Sequence, residues 1–236
     1  MASLTLIVFA GWCMVSMESS QCLIHLIKKA DGSTFAANEI HLRQGDMDGA
    51  CGPYALAMAL IVNEFIVRDD VYCLDLHGNN KFLRLLNHLQ ERRGKHLFKS
   101  GTTVKHLVSA INEHYGAHVE GEYLSGDSLN GRSFRDFVVE HVTHEDGVHP
   151  VILGIEYSTV EHSGHWVLVV GCEYDEQGVV DRFLVLDPGY EGPPGKQTWN
   201  ATIDARGSGS VLPYRMEVPI GETRVAFIDA LAMWRS

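Results

Sequence analysis

Three short segments of this chain hold residue types that can carry out nucleophilic acyl transfer. The first is Gln44-Gly45-Asp46-Met47-Asp48-Gly49-Ala50-Cys51-Gly52-Pro53-Tyr54, which runs at once into the apolar Ala55-Leu56-Ala57-Met58-Ala59-Leu60-Ile61-Val62. Cys51 therefore stands where a glycine-rich segment turns into a helix. Unpaired amide N–H groups and the helix dipole at that end favour a thiolate. Gln44, upstream, carries a side-chain amide able to donate to an oxyanion beside the sulfur. The second segment, Ser163-Gly164-His165-Trp166-Val167-Leu168-Val169-Val170-Gly171, puts His165 at the head of an apolar strand. The third, Phe183-Leu184-Val185-Leu186-Asp187-Pro188-Gly189, puts Asp187 at the tail of the next one. A thiol, a base and an orienting carboxylate on successive framework elements are the parts of such a site.

Each of these residues also has a plain structural reading. A cysteine at a helix start is more often core than nucleophile. Gly49, Gly52 and Pro53 shift that balance, since glycines let the backbone approach a substrate and a first-turn proline removes an N–H that has no helical partner. His165 is one of 13 histidines, and it stands out by placement: Gly164 leaves the approach to its ring open. Trp166 either shields the imidazole from water or fills core. Asp-Pro-Gly alone is an ordinary strand-ending turn, and Asp187 gains a role only beside the other two. Glu161-His162-Ser163-Gly164-His165 and the group His141, His144 and His149 match neither H-E-x-x-H nor a Cys/His zinc spacing. Asp46 and Asp48 lack the twelve-residue calcium pattern, and Asp48 reads as a cap for the Cys51 helix. No metal and no cofactor is expected, only a reduced thiol.

The Gln, the Asp-x-x-Cys-Gly-Pro that opens an apolar helix, the Gly-His-Trp-Val and the Leu-Asp-Pro-Gly together resemble the papain-like cysteine peptidases. Within that superfamily they are most similar to the bacterial double-glycine leader-cleaving (bacteriocin-processing) peptidases and their stand-alone relatives. The resemblance covers residues 44–62 and 163–189. It implies that Gln44 supplies the oxyanion-hole amide, Cys51 the nucleophile, His165 the general base and Asp187 the group that orients the imidazole. It also implies a papain-like α+β fold in which a helical lobe with the nucleophile helix packs against a twisted antiparallel sheet. No transporter segment follows, so the expectation is a stand-alone protein rather than the peptidase domain of an exporter, and the substrate class stays open.

The pattern of apolar residues supplies elements to hold these groups. Residues 22–29 and 39–43 read as short strands around an Asp31-Gly32-Ser33 turn. Helices are expected over 51–66, over 79–93 with Phe82, Leu85, Leu86 and Leu89 on one stripe, and over 102–115 behind a Thr102 or Thr103 cap. A short fourth covers 133–142, with Phe134, Phe137, Val138 and Val142 inward. The period then changes to that of strands over 149–157, 165–174 and 180–187, followed by an irregular loop at 188–196 and strands at 197–203 and 224–234. Helices first and an antiparallel sheet after them make an α+β layout.

A chain of 236 residues, 45% hydrophobic and 21% charged, can bury a substantial core. It reads as a segment 1–20 (signal, accessory element or misplaced start) and a single peptidase domain over 21–236. The formal net charge of −11 speaks against a nucleic-acid binder that neutralises phosphates. Five cysteines, at 13, 22, 51, 73 and 172, leave at least one unpaired, which suits a cytoplasmic, reducing compartment. Secretion is the alternative, because residues 4–10 are apolar, although no Lys or Arg precedes them and the run is too short to span a bilayer. The function expected is a cysteine-dependent hydrolase that cleaves a peptide or amide bond in a protein or peptide substrate. The alternatives are a deamidase, transglutaminase or other acyltransferase on the same triad, or a catalytically silent papain-like module that binds a partner.

Overall fold

The computed structural model describes residues 23–44, 49–72, 81–90, 101–126, 133–145, 147–157, 164–193, 195, 197–207 and 211–236. The segment 1–20, Asp46, Asp48, Cys13, Cys22, Cys73 and the 161–163 part of the first histidine group lie outside them. The fold is α+β, with N-terminal helices packed against a closed antiparallel barrel. The helices are α1 (Ala37–Ile40), α2 (Cys51–Val62), α3 (Arg68–Tyr72), α4 (Lys81–Gln90), α5 (Val104–His114) and α6 (Phe134–Val142).

Helix α2 has no polar face because it needs none: every residue except Tyr54 is buried. It packs on α1 and α5 and against the barrel wall. It stops at Val62, four residues before the predicted end. Glu64 takes a left-handed φ of 56°, its N–H donates to Ile61 O at 2.8 Å, and the Phe65 N–H donates to Leu60 O at 3.0 Å. Those two bonds close the last turn and end the helix. The Asn63 side-chain amide reinforces the stop by donating to Ala59 O and Met233 O, both at 3.2 Å. Helices α4, α5 and α6 form where the apolar stripes predict them. Thr103 occupies the N-cap of α5, and the Ser133 hydroxyl accepts from the Asp136 N–H at 3.1 Å to cap α6.

The predicted strand at 39–43 is instead the single turn α1 followed by irregular chain. Glu39 decides this: its carboxylate accepts the Ala36 N–H at 2.8 Å and the Lys29 ammonium at 2.9 Å, which folds the segment back on itself. Ile40, His41 and Leu42 are then buried in succession, a pattern that a half-buried strand cannot have.

The strands are β1 (Leu23–Leu26), β2 (Val119–Ser125), β3 (Val151–Glu156), β4 (Gly164–Tyr174), β5 (Val180–Leu186), β6 (Ala201–Asp204), β7 (Tyr214–Val218) and β8 (Gly221–Arg235). Six of them run β4-β3-β8-β7-β6-β5 and close on themselves through β4–β5, where Leu168 faces Leu186 and Val169 faces Val185. All pairings are antiparallel; β1 joins β4 and β2 joins β8 outside the ring. The twisted sheet of the sequence reading is thus a barrel. Its wall has two apolar faces. Leu153, Ile155, Val167, Val169, Phe183 and Val185 fill the lumen together with Phe137 and Val138 of α6. Ile152, Trp166, Leu168, Val170 and Leu186 point out against α2. Burial on both faces explains why β3, β4 and β5 read as unbroken apolar runs. Among the described residues, no helix is long and apolar enough to cross a membrane.

Candidate active site

Strand alternation sets the site at one rim of the barrel. Val167, Val185 and Ile155 face the lumen, so His165, Asp187 and Tyr157, each two residues nearer the same rim, share that side. Helix α2 lies on the outside of the wall and begins with Cys51. Trp166, one residue out of phase with His165, joins the outer core; its Nε1–H donates to Thr102 O at 3.0 Å. Of its two sequence readings, packing is the one its contacts support. A Cβ on Gly52 would collide with Thr102 Oγ1 and stand 3.2 Å from Trp166 Cδ1. Only glycine lets the first turn of α2 settle this low between the loop before α5 and β4.

Cys51, His165 and Asp187 are brought together there. His165 Nε2 lies 2.7 Å from Asp187 Oδ1. The ring's other side-chain partner is Cys51, which leaves Nδ1 for the thiol. Cys51 is 4% exposed and Asp187 0%. Burial of the ring works against its protonation, but hydrogen bonds to Asp187 and Cys51, and their charges, carry the His165 pKa up to about 10. The imidazolium is therefore the resting form at neutral pH, held between two acidic groups. Among the described residues no side chain caps the amides of α2, whose N-cap position is Ala50.

Asp187 is held through its Oδ1 and its backbone, while its Oδ2 is buried without a hydrogen-bond partner among the described residues. Its Oδ1 also accepts the Gly189 N–H at 2.7 Å, its own N–H donates to Asn200 Oδ1 at 2.7 Å, and Asn200 Nδ2 donates back to Asp187 O at 2.9 Å. Buried His41 places Nε2 at 3.2 Å from the same carbonyl, and burial lowers its pKa, so it stays neutral. The Tyr157 ring lies 5.7 Å from that of His165; burial first, then the Asp187 charge, push its phenol far above the ordinary tyrosine value. Asn200 and Tyr157 are site residues that sequence reasoning missed. Tyr157 carries a faint signal, since it ends a strand in phase with the lumen. Asn200 carries none, because it meets Asp187 only through the β5–β6 pairing.

Gln44 reaches the margin of this group. Its N–H donates to Pro188 O at 2.9 Å, which ties the segment before α2 to the Asp187 loop. Its Oε1 is buried and has no hydrogen-bond partner among the described residues. Cys172 is separate from the site: it lies in the lumen core, and burial pushes its thiol up to about 11. His141, His144 and His149 do meet, stacked on one another and on Trp234, with ring centroids 4.2–5.8 Å apart, well away in sequence and structure from the rim. The rim arrangement sets a thiol beside an imidazole whose other nitrogen a buried carboxylate holds. No protein-family model and no curated protein matches this chain in sequence.

Proposed function

We propose that the chain is a papain-like cysteine hydrolase that cleaves a peptide or amide bond. The observation that carries this reading is the His165 ring held between the Cys51 thiol and the buried Asp187 carboxylate, with its proton retained. The nucleophile helix packed outside an antiparallel barrel supports the papain-like assignment, as does the chain order Cys, His, Asp. In the proposed reaction the Cys51 thiolate attacks the carbonyl carbon and a C–S bond forms. The Cys51 N–H and the Gln44 amide donate to the oxyanion. His165 passes its Nδ1 proton to the leaving amine as the C–N bond breaks. The neutral ring then takes a proton from water, which attacks the thioester and releases the acid, and the freed thiolate regains its imidazolium partner. Deamidation or transfer to another amine would run through the same thioester and differ only in the acceptor. A silent binding module would be expected to lack a member of the triad, and none is lacking.

The test is mass-spectrometric mapping of a thiol-directed electrophile at limiting reagent and pH 6, alongside turnover of an activated ester. Cys51 should label first among the five cysteines, and His165→Ala should remove that preference together with turnover. Labelling of Cys51 no faster than that of Cys172 in the folded protein overturns the enzyme reading.

A further inference from the structure

No linear spacing announces a metal in this chain, but the packing of α4 on α5 gathers ligands from two helices. We propose that His88, Glu113 and His114 form a binding site for a divalent transition-metal ion of the zinc type, which clamps α4 to α5. One ligand atom from each lies within 4.8 Å of the other two. The two imidazole rings meet edge-on, at 89° and 5.5 Å between centroids. Among the described residues, both buried Nε2 atoms lack a hydrogen-bond partner, and the His88 side chain is only 10% exposed. Buried polar atoms of this kind are nearly always paired in folded proteins, and a shared cation would pair both.

Glu113 Oε2 lies 2.9 Å from His88 Nδ1, so the carboxylate belongs to the same cluster as the two rings. Two imidazoles and a carboxylate suit zinc and its neighbours rather than calcium or magnesium, which take oxygen alone. The site is independent of the hydrolase reading, yet it bears on the same scaffold: α5 follows directly from Thr102, whose carbonyl holds the Trp166 indole and whose hydroxyl abuts Gly52.

Calorimetric titration with Zn2+ of the full chain carrying Cys51→Ala, so that the thiol does not compete, tests this. One equivalent should bind and raise the unfolding midpoint. His88→Ala, His114→Ala and Glu113→Gln should each weaken binding at least tenfold. His144→Ala, in the separate histidine stack, should leave binding unchanged. Titration with Co2+ should shift the ring resonances of His88 and His114 without any ligand variant, so a substitution that fails to fold does not decide the matter. Absence of stoichiometric uptake, uptake that survives the His88→Ala/His114→Ala double variant, or Co2+ shifts confined to His141, His144 and His149 would overturn the site.

Discussion

The proton on His165 is held by what faces the ring, the Asp187 carboxylate on Nε2 and the Cys51 sulfur opposite. Asp187→Asn separates geometry from charge. The amide oxygen can still accept the Nε2 proton, but the negative charge is gone, so the His165 pKa should fall from about 10 towards 6.5. Histidine NMR titration reads this directly, and the alkaline limb of turnover should move down with it. The sign for stability follows from the raised value. The stabilisation is complete below the ordinary histidine pKa of about 6.5 and is lost as pH rises towards 10. Denaturation midpoints across that window should therefore drop in the parent and stay flatter in Asp187→Asn. Gln44 supports a second test. As an oxyanion donor, its replacement by Ala should cost about 10²–10³-fold in turnover with little change in thermal midpoint. As a mere loop tie through Pro188, the loss should be roughly 1 kcal/mol of stability at unchanged rate per folded molecule. That Cys51, His165 and Asp187 meet was legible because each sits in a motif that is dense in the chain. Asn200 and Tyr157 were not, because their parts depend on pairings between strands that no local pattern records.

At the scale of elements, the joint between α2 and β4 rests on the absence of a side chain at Gly52. Gly52→Ala would drive a methyl into Thr102 Oγ1 and against Trp166. It should destabilise by about 1–3 kcal/mol, the usual cost of overpacking, and slow Cys51 labelling because the thiol shifts from His165. Thr102→Ala in the same chain should recover part of both losses, and a double-mutant cycle measures the coupling. The helices with clear stripes or caps, α4, α5 and α6, were legible in sequence, as was the continuous apolar α2. Strand β2 was not: only Val119 and Leu124 are buried in it, so its exposed run has no period to detect. The 39–43 segment misled because Glu39 bends it through bonds to Ala36 and Lys29, a choice made by side-chain chemistry rather than hydrophobic pattern.

For the whole molecule, the lumen and the outer layer are separate apolar bodies joined by one wall, and each should fail differently. Phe183 is fully buried in the lumen, so Phe183→Ala should cost about 3–5 kcal/mol, measured by denaturant unfolding. Acid acts on the other side of the barrel. Burial first, then His144 and His141, hold the His149 pKa down at about 4. Its neutral form stabilises the fold above the ordinary histidine value, and that contribution is lost as pH falls from about 6.5 to 4. His149→Phe should flatten the stability profile across this window. Closure of the ring was beyond sequence reading: β4 and β5 are joined by a tight turn at 175–179, but β3 meets β8 across some 70 residues of chain and no local pattern records it.

Strand β8 pairs with β7 through its first residues, with β3 through its middle and with β2 through its end. It is the stave that joins the two halves of the ring, yet it comes after Cys51, His165 and Asp187 in the order of synthesis. A nascent chain grown as far as residue 220 already holds thiol, imidazole and carboxylate but cannot close the barrel that aligns them. Alignment of Cys51 with His165 and Asp187 should therefore wait for β8. Ribosome-arrested chains ending at residue 220 should show no preferential labelling of Cys51, while arrested chains with β8 fully exposed beyond the ribosome should.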